Sequence, residues 1–187
     1  MLGDLLLLRG NLGPAIESLA TAVRLAPGNG LAQFTLGTAY ERRGDVDLAV
    51  GAYRRAQALL PADPLPYNNA AWVYASHGRH LDEALTFARR AHELALRTPP
   101  PKPTLPGVLD TLGFVHFRRG EYDRAEPLFR QAAEIAVNNG TVQYHLGITY
   151  FRLGRRDEAA TWLRRSLQDP RLAEAAQVRK LLQEIGG

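Results

Sequence analysis

The side chains that could carry chemistry are few, and their spacing argues against most of it. Five histidines stand at His77, His80, His92, His116 and His145. None has the HExxH arrangement, or any comparable spacing, that would bring two imidazoles and a carboxylate to one metal. His77 and His80 flank Gly78 and read as turn residues, while His116 stands in an apolar seam and reads as a packed one. Cysteine is absent, so no disulfide, thiol nucleophile or thiolate metal site exists. The chain has no nucleophile elbow, phosphate loop or dinucleotide fingerprint, and Gly28-Asn29-Gly30 reads as a turn rather than a phosphate cradle. These residues predict no active site, no metal and no cofactor.

Charge offers a second line. The 23 basic residues exceed the 19 acidic ones by four, and all but Lys102 and Lys180 are arginine. That arginine excess, with the alanine and leucine content, fits a GC-rich source. Pairs recur at Arg54-Arg55, Arg89-Arg90 and Arg164-Arg165, with Arg130 in the matching place. A basic stripe of this kind could hold phosphates through charge alone. No aromatic residue interleaves with the pairs as a base-stacking platform, and Glu93 and Glu134 offset them. Nucleic acid therefore ranks well behind protein as a partner.

The elements that must position these residues follow from a period. Gly3, Gly37, Ala71, Gly113 and Gly147 are separated by 34 residues, except for one step of 42. Three places after each comes Leu6, Tyr40, Tyr74, His116 or Tyr150. Seven places after comes Gly10, Gly44, Gly78, Gly120 or Gly154, and then Ala15, Ala49, Ala84, Ala125 or Ala159. A fixed period of this length indicates stacked like units rather than one globular core. Within a unit, Leu31, Leu36 and Tyr40 fall at helical spacing before Gly44. Val46, Ala49, Val50, Tyr53, Ala56 and Leu60 then form a second apolar stripe that Pro61 closes. Each unit is thus two short amphipathic helices. The glycine between them suits a left-handed helix end, and the small residues within them suit close approach of paired helices.

At these residues the chain resembles the tetratricopeptide repeat (TPR) family. The resemblance rests on Leu36-Gly37-Thr38-Ala39-Tyr40, Gly44, Ala49, Tyr53, Ala56 and Pro61. It rests equally on Leu112-Gly113, Gly120, Ala125, Phe129 and Ala132, and on Leu146-Gly147, Tyr150, Gly154, Ala159 and Leu163. It implies an all-α fold, a right-handed α-solenoid of stacked antiparallel helix hairpins with a C-terminal capping helix. The expected boundaries within a single domain over 1–187 are a truncated repeat at 1–29, then 30–63, 64–98, 106–139 and 140–169. A capping helix is expected over 170–185, with Asp169 as its cap and Pro170 in its first turn. A stiff proline-rich loop is expected over 98–106. The third unit departs from the pattern by one extra residue between Gly78 and Ala84.

Members of the family line a concave groove with the first helices and hold partner peptides or helices there. Carried over residue by residue, the groove would contain Phe34, Thr38, Asn68, Asn69, Trp72, Asp110, Phe114, Phe117, Tyr144, His145 and Phe151. Apolar anchors beside amides and charges are what a peptide site needs. Trp72, Phe114 and Ile148 hold equivalent places and could instead pack between repeats. The lysine and asparagine clamp that some relatives use for chaperone C-termini has no match.

The expected function is a protein-interaction module holding a partner peptide or helix, without catalysis. The alternative is self-assembly through the N-terminal edge, where Leu2, Leu5, Leu6 and Leu8 would be left uncovered. The short apolar run at 5–8 has Asp4 before it and Arg9 after it, so it reads neither as a secretory core nor as a membrane span. It reads as the tail of a repeat cut from a longer protein, which leaves the compartment open.

Overall fold

The computed structural model describes residues 2–97, 99 and 102–186. Among these, the secondary structure is eleven α-helices. Two compact units divide the chain, Met1–Thr98 and Pro99–Gly187. The first holds α1 (Leu2–Leu8), α2 (Leu12–Leu25), α3 (Gly30–Arg43), α4 (Val46–Leu59), α5 (Leu65–Ser76) and α6 (Leu81–Arg97). The second holds α7 (Leu105–Arg118), α8 (Tyr122–Ile135), α9 (Gly140–Arg152), α10 (Arg156–Ser166) and α11 (Ala175–Gly186). Helices pair as α1 with α2, α3 with α4, α5 with α6, α7 with α8 and α9 with α10, and within each unit each hairpin packs on the next. The architecture is an all-α solenoid of helix hairpins.

Two glycine roles hold each hairpin together. At the turn, Gly44 takes φ +88°, and its N–H closes the helix onto the carbonyls of Tyr40 and Glu41. The same left-handed backbone recurs at Gly10, Gly78, Gly120 and Gly154, a conformation that costs other residues steric strain. On the helices, glycine makes room. A Cβ on Gly37 would lie 2.6 Å from the Tyr53 ring, and one on Gly113 would lie 2.9 Å from Phe129. On Gly147 it would lie 2.8 Å from the Leu163 side chain and 3.1 Å from the Leu163 backbone nitrogen. The second helix therefore drives a large side chain directly onto the backbone of the first.

The third hairpin solves the same problem with intermediate sizes. Its small residue is Ala71, and its residue four places after the packing alanine is Ala88 rather than an aromatic or leucine. Both are fully buried. Between hairpins, Asn29 and Asn139 begin α3 and α9 by accepting from the backbone N–H of Ala32 at 3.0 Å and of Val142 at 3.2 Å. These are helix N-caps that satisfy otherwise orphaned donors.

Three details differ from the sequence reading. The C-terminal helix starts at Ala175, not at 170. Asp169 caps a turn instead: its side chain accepts from the N–H of Arg171 at 2.9 Å and its carbonyl from that of Leu172 at 3.2 Å. Leu31 is 62% exposed, so it stands outside the apolar stripe of its hairpin. Of the expected proline loop, Pro99 is exposed and Pro106 lies inside the first turn of α7, whereas Thr98, Pro100 and Pro101 fall outside the described residues. The expected covering role is nevertheless filled. Val178, Leu181, Leu182 and Ile185 of α11 pack with Tyr144, Ile148 and Leu163.

Size complementarity makes a paired prediction. Gly147→Ala should destabilise the protein by about 1–3 kcal/mol, because backbone and side chain of Leu163 both block the methyl. Gly51→Ala, where a Cβ meets nothing within 4 Å, should stabilise it by about 0.5–1 kcal/mol through helix propensity. Urea denaturation of the two variants checks this. Equal shifts of the same sign would refute the packing argument.

Candidate partner-binding site

In the first unit the first-helix residues converge on one buried tyrosine. Tyr53 reaches from α4 between α3 and α5, with its ring fully buried and 5.7 Å from that of Phe34. A buried phenol must place its hydroxyl. Tyr53 Oη donates to Glu41 Oε2 at 2.5 Å and lies 3.3 Å from Thr38 Oγ1. Asn69 Nδ2 donates to Tyr53 Oη at 3.4 Å, and Asn68 Nδ2 donates to Asn69 Oδ1 at 3.3 Å. The donors all run one way, from Asn68 on α5 toward the Glu41 carboxylate on α3. Burial raises the Glu41 carboxyl above its usual range, against the lowering effects of the Tyr53 bond and the charges of Arg42 and His77. Burial together with Glu41 holds the Tyr53 phenol far above its own. Phe34, Thr38, Asn68, Asn69 and Trp72 are all half-buried.

The second unit is built differently. His145 Nδ1 on α9 lies 2.8 Å from Asp110 Oδ1 on α7, and both residues are buried. Three rings enclose the imidazole: Phe114 at 5.0 Å, Phe129 at 5.3 Å and Tyr144 at 5.7 Å between centroids. Asp110, Tyr144 and His145 are thus held between helices, where the sequence reading placed them on a lining. Phe114 and Phe117 are half-buried and stack at 6.4 Å, and Phe151 is half-buried on α9. Tyr122 closes on Phe117 at 5.2 Å. The exposed Arg118 lies over the Phe114 ring at 5.7 Å.

Two residues outside the candidate set matter most in the first unit, Tyr53 and Glu41. Their signal was a phenol at a place where other repeats use Phe129 or Leu163, together with an acid at the end of a first helix. His116 is packed as expected, and its Nδ1 lies 2.6 Å from Glu121 Oε2 at the hairpin turn. His116 and Arg119 together hold the Glu121 carboxyl down to about 2.

The second-helix arginines are largely occupied. Arg54 pairs with Glu83, Arg90 with Glu93 and Arg130 with Glu126. Two aromatics lie beside these arginines, with Arg54 over Phe87 and Arg165 over Trp162. Each guanidinium covers its ring, which is then no open platform. Among the described residues no cluster of three potential metal ligands occurs, and no helix is long and apolar enough to cross a membrane.

Comparison with known proteins bears on the family. Two sequence models described as Tetratricopeptide repeat match residues 1–64 and 104–169. The chain belongs to the tetratricopeptide repeat family. It is 25% identical over 160 residues to anaphase-promoting complex subunit CDC16 of Saccharomyces cerevisiae, covering 86% of this chain and 19% of that protein. It is 26% identical over 182 residues to BBSome complex member BBS4 of Bos taurus, covering 93% of this chain and 32% of that protein. The chain therefore spans only a minor part of the relatives it matches. The crystal structure of the APC/C hetero-tetramer Cut9–Hcn1 superposes with a TM-score of 0.83 at 23% identity, over 98% of this chain and 35% of that one. That likeness speaks to the TPR fold alone.

The buried Asp110–His145 pair gives the site a stability test. His145→Leu should cost about 3–5 kcal/mol, because it strands a carboxylate between α7 and α9. The double variant with Asp110→Leu should recover most of that loss. A denaturation double-mutant cycle measures the coupling, and additive losses would show that the two side chains act independently.

Proposed function

We propose that this TPR scaffold holds an extended or helical segment of a partner protein on its first-helix face, by binding alone. The observation that carries the reading is the make-up of that face. In each unit, half-buried aromatics sit beside polar groups whose geometry is fixed by buried partners. Phe34 and Trp72 accompany the Asn68–Asn69–Tyr53–Glu41 chain in one, and Phe114 and Phe117 accompany the Asp110–His145 pair in the other. Aromatic anchors supply affinity, and preset polar groups supply register. Because the helices are already folded, ordering costs on binding fall on the ligand segment. CDC16 and BBS4 are by name members of protein complexes, which fits a scaffold of this kind.

A second reading, self-association through α1, is favoured by one specific observation. Leu2, Leu5 and Leu8 are 65%, 59% and 78% exposed, and exposed apolar patches commonly mark interaction sites.

Affinity capture from cell lysate separates the readings. One bait carries Trp72→Ala, Phe117→Ala and Phe151→Ala on first helices, and a control carries Arg55→Ala, Arg89→Ala and Arg164→Ala on second helices. Equal helicity by circular dichroism is confirmed first. A protein captured by the intact chain should be lost about tenfold or more with the first bait and kept with the second. The reverse pattern would overturn the proposal. Concentration-dependent mass abolished by Leu5→Glu and Leu8→Glu would support self-association instead.

A further inference from the structure

We infer that the first-helix face of the first unit selects partner segments that bring a Lys or Arg side chain onto Glu41. The inference rests on the first-helix reading and adds the chemistry of the ligand. Phe34, Thr38 and Glu41 follow one another on α3 at steps of four and then three residues, so the acid shares the face assigned to the partner. It is half-buried. Its place, four residues after Gly37, is taken by Ala75, Phe117 and Phe151 in the later repeats. A charge thus stands where those repeats present an apolar side chain.

The carboxylate is oriented by its surroundings but poorly neutralised by them. Tyr53 Oη donates to Glu41 Oε2 at 2.5 Å, and Asn69 Nδ2 donates to the same phenol at 3.4 Å. Glu41 is the one acidic residue within α3 and α5, and α5 carries no basic one. The cations beside it in sequence serve other acceptors. Arg42 donates to the Leu7 carbonyl at 3.0 Å, and Arg43 pairs with Asp45. His77, just past α5, has its Nδ1 2.9 Å from the Val73 carbonyl. Burial is the largest influence on the Glu41 carboxyl and raises it, outweighing Tyr53, Arg42 and His77. A desolvated carboxylate in this state gains most from a cation supplied at hydrogen-bond distance.

The rest of the face sets what accompanies that cation. Phe34 precedes Glu41 by seven residues, about 10 Å along the helix axis. An extended segment covers that span in about three residues, so an aromatic or aliphatic side chain near the basic one meets the Phe34 ring. A nucleic acid is disfavoured, because its phosphates would face the Glu41 charge.

Selection from a phage-displayed library of random peptides against the whole chain tests the inference. Peptides enriched on the intact protein should carry Lys or Arg within a few residues of an aromatic or leucine. Their affinity should fall about tenfold or more with Glu41→Gln, fall with added salt, and hold with Glu17→Gln, which removes an exposed acid from the second helix α2. A change in the peptide guards against misfolding of the variant. Replacing its basic residue by Gln should cost the same on the intact protein, and little more on Glu41→Gln. Equal losses with Glu17→Gln and Glu41→Gln would reduce the preference to net charge and overturn the inference. Peptides that lose binding with Trp72→Ala, Phe117→Ala or Phe151→Ala but are indifferent to Glu41→Gln would also overturn it, and would leave the first-helix reading intact. Peptides insensitive to all of these variants, or no enrichment, would overturn both.

Discussion

Everything in this chain depends on how closely the second helix of each hairpin can approach the backbone of the first. A glycine on the first helix admits Tyr53, Phe129 or Leu163 to a distance at which any Cβ would collide. That contact fixes the rotation of both helices about their axes, because only one face of the first helix carries the gap. With that face committed to the hairpin, the stripes that remain go to the neighbouring repeat and to solvent. The Ala71 and Ala88 combination shows that the requirement concerns summed size rather than glycine itself. Interiors packed to crystal-like density tolerate little change in either partner.

Polar groups then settle how neighbouring first helices sit beside one another. Tyr53 ties α3 to α5 through Glu41 and Asn69, and the Asp110–His145 pair ties α7 to α9. Such buried polar contacts add little net stability when they form, but they cost heavily when half of one is removed. Their effect is to hold one arrangement against others. The Tyr53 ring and the His145 imidazole also lie against Phe34 and Phe114. Arg42 adds a similar tie by donating to the Leu7 carbonyl at the end of α1, at 3.0 Å, where a cation meets the negative end of a helix.

The fold was legible in the sequence because its determinants are local and repeated. The helix-ending glycines, the packing alanines and the alternation of apolar stripes each recur at one period, and each has its structural counterpart. The C-terminal helix start was not legible, because Asp169-Pro170 is a signature shared by helix caps and by the turn found here. The candidate face was legible only as a direction. Helical spacing places Asp110, Tyr144 and His145 on the same stripe as Phe114 and Phe117, but depth along that stripe depends on the distance to the next repeat. Neither the Asp110–His145 pair nor the enclosure of Tyr144 by Leu163, Leu172 and Val178 is encoded within a single repeat. Tyr53 was hidden for the opposite reason. Its ring fills an apolar seam, so the pattern reveals the ring and conceals the hydroxyl that organises Glu41 and Asn69.

The most direct measurement is a backbone amide NMR titration of the isotope-labelled protein with a peptide that binds it. The account predicts that shifts concentrate on α3 and α5 or on α7 and α9, around Thr38, Asn69, Phe117 and Phe151, with the second helices little changed. Shifts concentrated on α4, α6, α8 and α10 would contradict it, because they would move the binding surface to the arginine-bearing side.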